Sequence, residues 1–307
     1  MMRGLFVGLT TLDLIYQVMK PPQPNQKLVA LDYTTAAGGP ATNAAIAFGA
    51  LGGRASLLSV VGCHPMTQLI RADLQQYGVS LLDLDPAWSE SPPVSSIIVT
   101  KATGDRAVIS INAAKLQATS AQIPTHVLQD VDIVMIDGHQ IAVGTAIAEQ
   151  ANALNIPVVL DGGSWKPGLE VLLPLVNYAI CSANFHPPHC TTQAEVVAYL
   201  THLGIPKIAI TQGEQPIWYG ASRRDSPTLG EARATETLRE HATNRAQTSY
   251  IPVPKIQPVD TLGAGDIFHG AFCHFILQAN FVEALEKSAE VAARSCLSFG
   301  TRQWIGK

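Results

Sequence analysis

The sequence predicts an α/β fold built on a mainly parallel sheet with helices on both faces. Short apolar runs recur at Leu5–Leu9, Ser56–Val61, Ile133–Ile136, Pro157–Leu160, Tyr178–Cys181 and Lys207–Thr211, and each reads as a buried strand. Helical patterns at Thr67–Tyr77, Val143–Leu154 and Gln193–Leu203 fall between them, each long enough to cross from one strand to a parallel neighbour. The length of 307 residues suits one large domain with additions, and 47% hydrophobic with 14% charged residues is an ordinary globular composition. In an open sheet of this kind, ligands sit at the carboxyl ends of the strands.

Taken in order, the first sixteen residues hold only a short apolar run and soon meet Asp13, which suits a buried first strand rather than a secretion signal. Leu14–Ala36 and Val94–Ile111 lack a following helix, and the second reads as two strands around a turn at Thr103-Gly104-Asp105; both fit a small β flap on the main sheet. Ser222–Ser249 is polar and densely charged, the mark of a surface insertion. Ala264–Leu277 and Val282–Ser298 read as two helices broken near Gln278-Ala279-Asn280.

Composition also narrows the function classes. No window approaches the roughly eighteen apolar residues of a membrane span. A formal net charge of −4 argues against general binding to a nucleic-acid backbone. The five cysteines are scattered and form no C-x-x-C spacing, which suits free thiols in a reducing compartment. These features predict a cytoplasmic protein with neither membrane nor nucleic acid as partner.

The strongest chemical signal is Asp260-Thr261-Leu262-Gly263-Ala264-Gly265-Asp266, which leads straight into the apolar helical run starting at Ile267. Small residues let a ligand approach the backbone closely, and free N–H groups at a helix start hold anionic oxygens with help from the helix dipole. A carboxylate in the first turn adds a base. Phosphoryl transfer needs both: donors for the charge on the transferred group and an acceptor for the hydroxyl proton. Asp266 is the candidate base, and the amides of Gly263, Ala264 and Gly265 are the candidate donors.

This D-T-x-G-A-G-D segment resembles a signature of the ribokinase/PfkB carbohydrate kinases. A second signature of that family is matched by Gly38-Gly39-Pro40-Ala41-Thr42-Asn43, followed by an Ala-rich helix and Leu51-Gly52, about 220 residues earlier. The resemblance implies a single domain over 1–307: a three-layer α/β/α sandwich with a lid sheet from about 13–37 and 93–112, interrupted by the insertion at about 222–249. It implies transfer of the γ-phosphoryl group of ATP to a sugar hydroxyl, with magnesium as cofactor. It also implies a homodimer formed through the lid.

Within the family the opening region is most similar to the ketohexokinases, which implies a fructose-like acceptor. Asp13, Asn25, Gly38, Gly39 and Asn43 then line the sugar, with Asn25 standing where those enzymes have an aspartate. Pro40 departs from the pattern, because ketohexokinases carry Asn there and ribokinases carry Lys. By the same resemblance Arg106 reaches the nucleotide phosphates from the lid. Ser182, Thr211, Gly213, Cys296 and Gly300, with Gly263 and Gly265, border ATP. The backbone of Asp260 and Leu262 would hold a monovalent cation, potassium, as in ribokinase. Ser182-Ala183-Asn184-Phe185 lacks the Glu of the family's N-x-x-E motif, which leaves the magnesium ligands unassigned. Two readings stay open beside the sugar kinase: a nucleoside kinase of the same fold, and a sugar- or nucleotide-binding regulator without catalysis. A P-loop kinase and a dinucleotide-binding dehydrogenase are disfavoured by the missing glycine motifs.

Overall fold

The computed structural model describes residues 1–111, 116–221 and 249–306. Apart from Ser249, the polar insertion lies outside the described residues. Nine strands form one sheet in the order β13-β12-β11-β10-β9-β8-β1-β4-β5. They are β1 (Arg3–Val7), β4 (Arg54–Ser59), β5 (Ser80–Asp83), β8 (Ile133–Ile136), β9 (Val158–Gly162), β10 (Tyr178–Ser182), β11 (Lys207–Gln212), β12 (Gln215–Ala221) and β13 (Ser249–Ile251). Every neighbouring pair from β5 to β11 is parallel, whereas β12 and β13 add an antiparallel edge.

The parallel strands are buried on both faces. Leu5 and Val7, Val134 and Ile136, Val158 and Leu160 point into one core. Phe6, Ile133, Met135 and Val159 point into the other. Helices α3 (Ile141–Ala153) and α5 (Gln193–His202), with the short α4 (Leu169–Leu172), cover the first face. Helices α1 (Pro40–Ala50), α2 (Thr67–Gln76), α6 (Ala264–Phe275) and α7 (Phe281–Ser295) cover the second. This is the three-layer sandwich expected from the alternation of strands and helices.

A second sheet of four strands has the order β3-β2-β6-β7, formed by β3 (Asp32–Gly38), β2 (Thr11–Val18), β6 (Val94–Thr100) and β7 (Arg106–Ser110). Ile15, Ile97 and Val99 anchor its inner face against Phe299. On its outer face Tyr16 stacks on Tyr33, 6.3 Å between ring centroids, and Ile109 is exposed on β7 at the far edge.

The chain winds from β1 to β4 and β5 in one direction, then from β8 to β11 in the other. The reversal falls between β1 and β8, and the crevice it opens at their carboxyl ends is where such sheets bind ligands. The loop after β1 therefore lies against Asp137, the residue following β8, with Asp137 Oδ2 accepting from Leu9 N at 2.8 Å and Ala41 N at 3.2 Å.

Candidate active site

Helix α6 begins at the crevice. Gly263 caps it in the left-handed region, with φ at 69°, a conformation glycine adopts without Cβ strain. The helical ladder starts with Ile267 N donating to Gly263 O at 2.8 Å; ahead of it Ala264 N makes a long bond to Thr261 O at 3.4 Å, while the amides of Gly263 and Gly265 remain open to a ligand. Gly265 is exposed, and a Cβ built on it would meet nothing within 4 Å, which leaves clearance for a phosphate at the helix start.

Asp266 stands in that first turn, partly covered. Its Oδ2 accepts from Asn43 Nδ2 at 2.8 Å, which joins the second signature to the first across the whole chain. Burial foremost, and then the charge of Asp161 at the end of β9, raise the Asp266 carboxyl to about 7; the Asn43 hydrogen bond and His269 act in the opposite direction. His269 fastens the turn to the sheet, its Nδ1 lying 2.7 Å from Gly265 O and its Nε2 3.1 Å from Ile180 O. Asp161 Oδ2 is 3.5 Å from the same Nδ1.

On the acceptor side, Asp13 is 6% exposed on β2 and accepts from Thr11 Oγ1 at 2.7 Å. Burial raises its pKa, opposed by hydrogen bonds from Thr11 and Ser95. A Cβ on Gly38 would sit 2.0 Å from Asp13 Oδ2, so glycine is required for this approach. Gly39 has φ at 97°, and a Cβ there would lie 2.3 Å from Leu9 O. Pro40 occupies the first helical position of α1, where its missing N–H has no partner to lose. Asn25 is set apart: it lies at φ 61° in the exposed connection from β2 to β3, and no side-chain hydrogen bond holds it toward Asp13 or Asn43.

The turn between β6 and β7 rests on the segment 260–265 that leads into α6. Arg106 Nη1 donates to Thr261 Oγ1 at 3.0 Å and to Thr261 O at 3.3 Å, and Thr261 Oγ1 donates to Gly104 O at 3.3 Å. Asp260 is buried, its Oδ1 accepting from Leu262 N at 2.9 Å and its Oδ2 from Gly300 N at 2.8 Å. Burial raises its pKa, opposed by these two amides. Its carboxylate thus fastens the C-terminal segment under that loop. Cys296 closes the same join through its carbonyl, which accepts from Val259 N at 2.8 Å, while burial pushes its thiol up. Ser182, Thr211 and Gly213 lie at or just beyond the carboxyl ends of β10 and β11; Ser182 Oγ donates to Gly163 O at 2.7 Å.

Three residues that shape the crevice went unread in the sequence. Asp137 organises the β1 loop and also accepts from His139 N at 2.9 Å. Arg302 and Asp73 pair at 3.0 Å behind Asn43. For Asp137 a signal existed, an acid directly after a buried parallel strand; Arg302 and Asp73 carry no local mark.

A carboxylate raised to about 7 in the first turn of a helix whose start carries open glycine amides fits a phosphotransferase site with an alcohol acceptor. The chain belongs to the pfkB family of carbohydrate kinases, whose family model matches residues 3–305, and it is a sugar kinase of the ribokinase type. It is 24% identical to the ribokinase of Bacillus subtilis over 301 residues, covering 96% of this chain and 93% of that protein. It is likewise 24% identical to the deoxyribokinase of Salmonella typhimurium over 308 residues, again covering 96% and 93%. The ribokinase of Arabidopsis thaliana, solved with ribose and ATP, superposes with a TM-score of 0.71 at 17% identity over 97% of this chain and 93% of that one. Among the described residues no helix is long and apolar enough to cross a membrane.

Proposed function

We propose that this protein transfers the γ-phosphoryl group of ATP to a hydroxymethyl group of a monosaccharide, with Asp266 as general base. The observation that carries the reading is Asp266 standing directly after exposed Gly265 at the start of α6, with Asn43 holding its carboxylate. The acceptor oxygen bonds to phosphorus as the bond to the ADP oxygen breaks, and Asp266 takes the hydroxyl proton. A base raised to about 7 is matched to that task near neutral pH. The amides of Gly263, Ala264 and Gly265 donate to the phosphoryl oxygens as charge builds. Asp13 and Asn43 orient the sugar, with Gly38 and Gly39 allowing close approach; Asn25 reaches it only if the exposed β2–β3 connection folds inward.

Arg106, already over Thr261, supplies positive charge from the four-stranded sheet, which acts as the lid and excludes water. Ser182, Thr211, Gly213, Cys296 and Gly300 line the nucleotide. Magnesium, when bound, offsets phosphate charge; with no Glu in the Ser182–Phe185 segment, the nucleotide's own phosphates hold it. The carbonyls of Asp260 and Leu262 are the site for potassium, on a loop that the Asp260 carboxylate keeps rigid. A second copy covers the outer lid face, where Tyr16, Tyr33 and Ile109 are exposed. The protein works in the cytoplasm.

For the acceptor, the curated relatives act on pentoses, and we rank ribose and deoxyribose ahead of the ketohexose that the Asp13–Asn43 pattern suggests. An ATP-coupled assay over ribose, 2-deoxyribose, fructose, other aldoses, sugar acids and nucleosides, with and without potassium, tests the whole reading. Sugar-dependent ADP release supports it, preference for a nucleoside replaces it with a nucleoside kinase, and silence across the panel with retained ligand binding leaves the regulator.

A further inference from the structure

We propose that Arg302 is a positioning residue for phosphoryl transfer, locking the Asn43 amide with its oxygen toward the guanidinium and its NH2 toward Asp266. The inference rests on the proposed role of Asp266. Arg302 follows the loop that Asp260 fastens through Gly300, yet its side chain reaches back to the acceptor side. Nη1 donates to Asn43 Oδ1 at 2.9 Å and to Thr301 Oγ1 at 2.9 Å, and Nη2 donates to Asp73 Oδ2 at 3.0 Å and to Ala37 O. The guanidinium lies over the Tyr77 ring, 5.5 Å from its centroid, and only 11% of the side chain is exposed. Four segments meet on this one group: β3 through Ala37, α1 through Asn43, α2 through Asp73, and the C-terminal segment itself.

An asparagine amide has an oxygen end that only accepts and a nitrogen end that only donates, and its two orientations are nearly equal in shape. A guanidinium has donors alone. With Arg302 on one side, the Asn43 oxygen must face it, and the NH2 is left for Asp266 Oδ2 at 2.8 Å. That donor favours the ionised, proton-accepting form of the base. Asp161 on β9 and Asp13 on β2 press the other way, and His269 on the same helix assists Asn43. Without Arg302, no other side-chain hydrogen bond among the described residues fixes the Asn43 oxygen, and the amide can turn that oxygen to a protonated Asp266. Asp73 has a separate duty, since its Oδ2 also accepts from Ala37 N at 3.0 Å at the base of β3.

The test compares Arg302→Met, Arg302→Lys and Asp73→Asn with the wild type in pH–rate profiles on the best sugar of the panel. Arg302→Met should move the acidic limb of kcat up by about one pH unit, lower kcat about fivefold at pH 7, and recover toward wild type in alkali. Arg302→Lys, which retains one charged donor, should shift less. Asp73→Asn should lower the melting temperature yet leave the limb in place. A pH-independent loss in Arg302→Met, or an equal limb shift in Asp73→Asn, overturns the proposal; if Arg302→Met does not fold, an unmoved limb in Arg302→Lys does so. A readout without turnover separates this failure from failure of the kinase reading. In 15N-asparagine-labelled protein, the Asn43 side-chain NH2 signal, assigned by its loss in Asn43→Ser, should titrate with Asp266 in wild type and, in Arg302→Lys, do so with a raised midpoint, less displaced than in Arg302→Met. A response unchanged by the substitution overturns the proposal whether or not any sugar is phosphorylated.

Discussion

Asn43 Nδ2 lies 2.8 Å from Asp266 Oδ2, a contact between the first turns of two helices separated by most of the chain. It brings the proposed sugar contact to the proposed general base. Interference at either end should therefore show in turnover before it shows in folding.

Asp266→Asn should lower kcat by about 10²- to 10⁴-fold, the usual contribution of a positioned base. The amides of the Gly263–Gly265 turn are untouched by this change. Calorimetric titration with a nonhydrolysable ATP analogue should give an affinity close to wild type, and loss of nucleotide binding would refute the role given to Asp266.

The pH dependence of activity and of stability should run in opposite directions around this residue. A base near 7 must be ionised to work, so kcat should climb through about pH 7 and level off above it. Its folded pKa is raised above the unfolded value, so the ligand-free fold is favoured below about pH 4 and loses that advantage as pH rises through about 7. Asp266→Asn should accordingly melt at a higher temperature than wild type at pH 8, measured by scanning calorimetry, with the difference shrinking in acid.

Gly38→Ala should damage acceptor handling more than nucleotide handling. The added methyl would meet the Asp13 carboxylate at 2.0 Å and must displace it. A shift of about 1 Å at a positioning group lowers kcat/KM by about 10²-fold, so that loss is expected for the sugar, with KM for ATP little changed.

Arg106→Ala should raise KM for ATP several-fold and make turnover less sensitive to salt, while leaving the melting temperature within experimental scatter. The residue is exposed, and among the described residues its side-chain hydrogen bonds go to Thr261. Steady-state kinetics at two ionic strengths checks both expectations.

His274 supplies a stability prediction far from the chemistry. It is 8% exposed between Phe48 and Phe275, its Nδ1 has no partner, and burial lowers its pKa. Stability should fall as pH drops below about 6.5, where the unfolded chain gains a proton that the folded core resists. His274→Leu should remove this part of the acid sensitivity in urea titrations at pH 5 and 8.

Much of the architecture was legible because a parallel strand buried on both faces writes itself as a short apolar run. Ile133–Ile136 matches its strand residue for residue, and Tyr178–Cys181 falls one short. β5 escaped notice because Ser80–Asp83 is only half covered at the sheet edge, and β12 because Pro216 breaks the pattern of a strand that pairs back across the insertion. At the site, Asp266 and Asn43 were visible because each sits in a dense motif of small residues. Arg302 was not, since its partners Ala37, Asn43 and Asp73 lie more than two hundred positions away, and nothing in local spacing encodes such a meeting. Asn25 shows the converse, a position suggested by family resemblance that stands exposed in the connection from β2 to β3.

The small sheet has no separate hinge domain between it and the acceptor side: Asp13 is a member of β2 itself, paired in register with Ala36 on β3, whose last residue is Gly38. Any rocking of that sheet would therefore carry Asp13 and Gly38, two of the proposed sugar contacts, along with it. On the proposed function, gripping the acceptor and shutting the roof become one movement rather than two, and a bound sugar should slow amide hydrogen exchange across β2, β3, β6 and β7 even when no nucleotide is present.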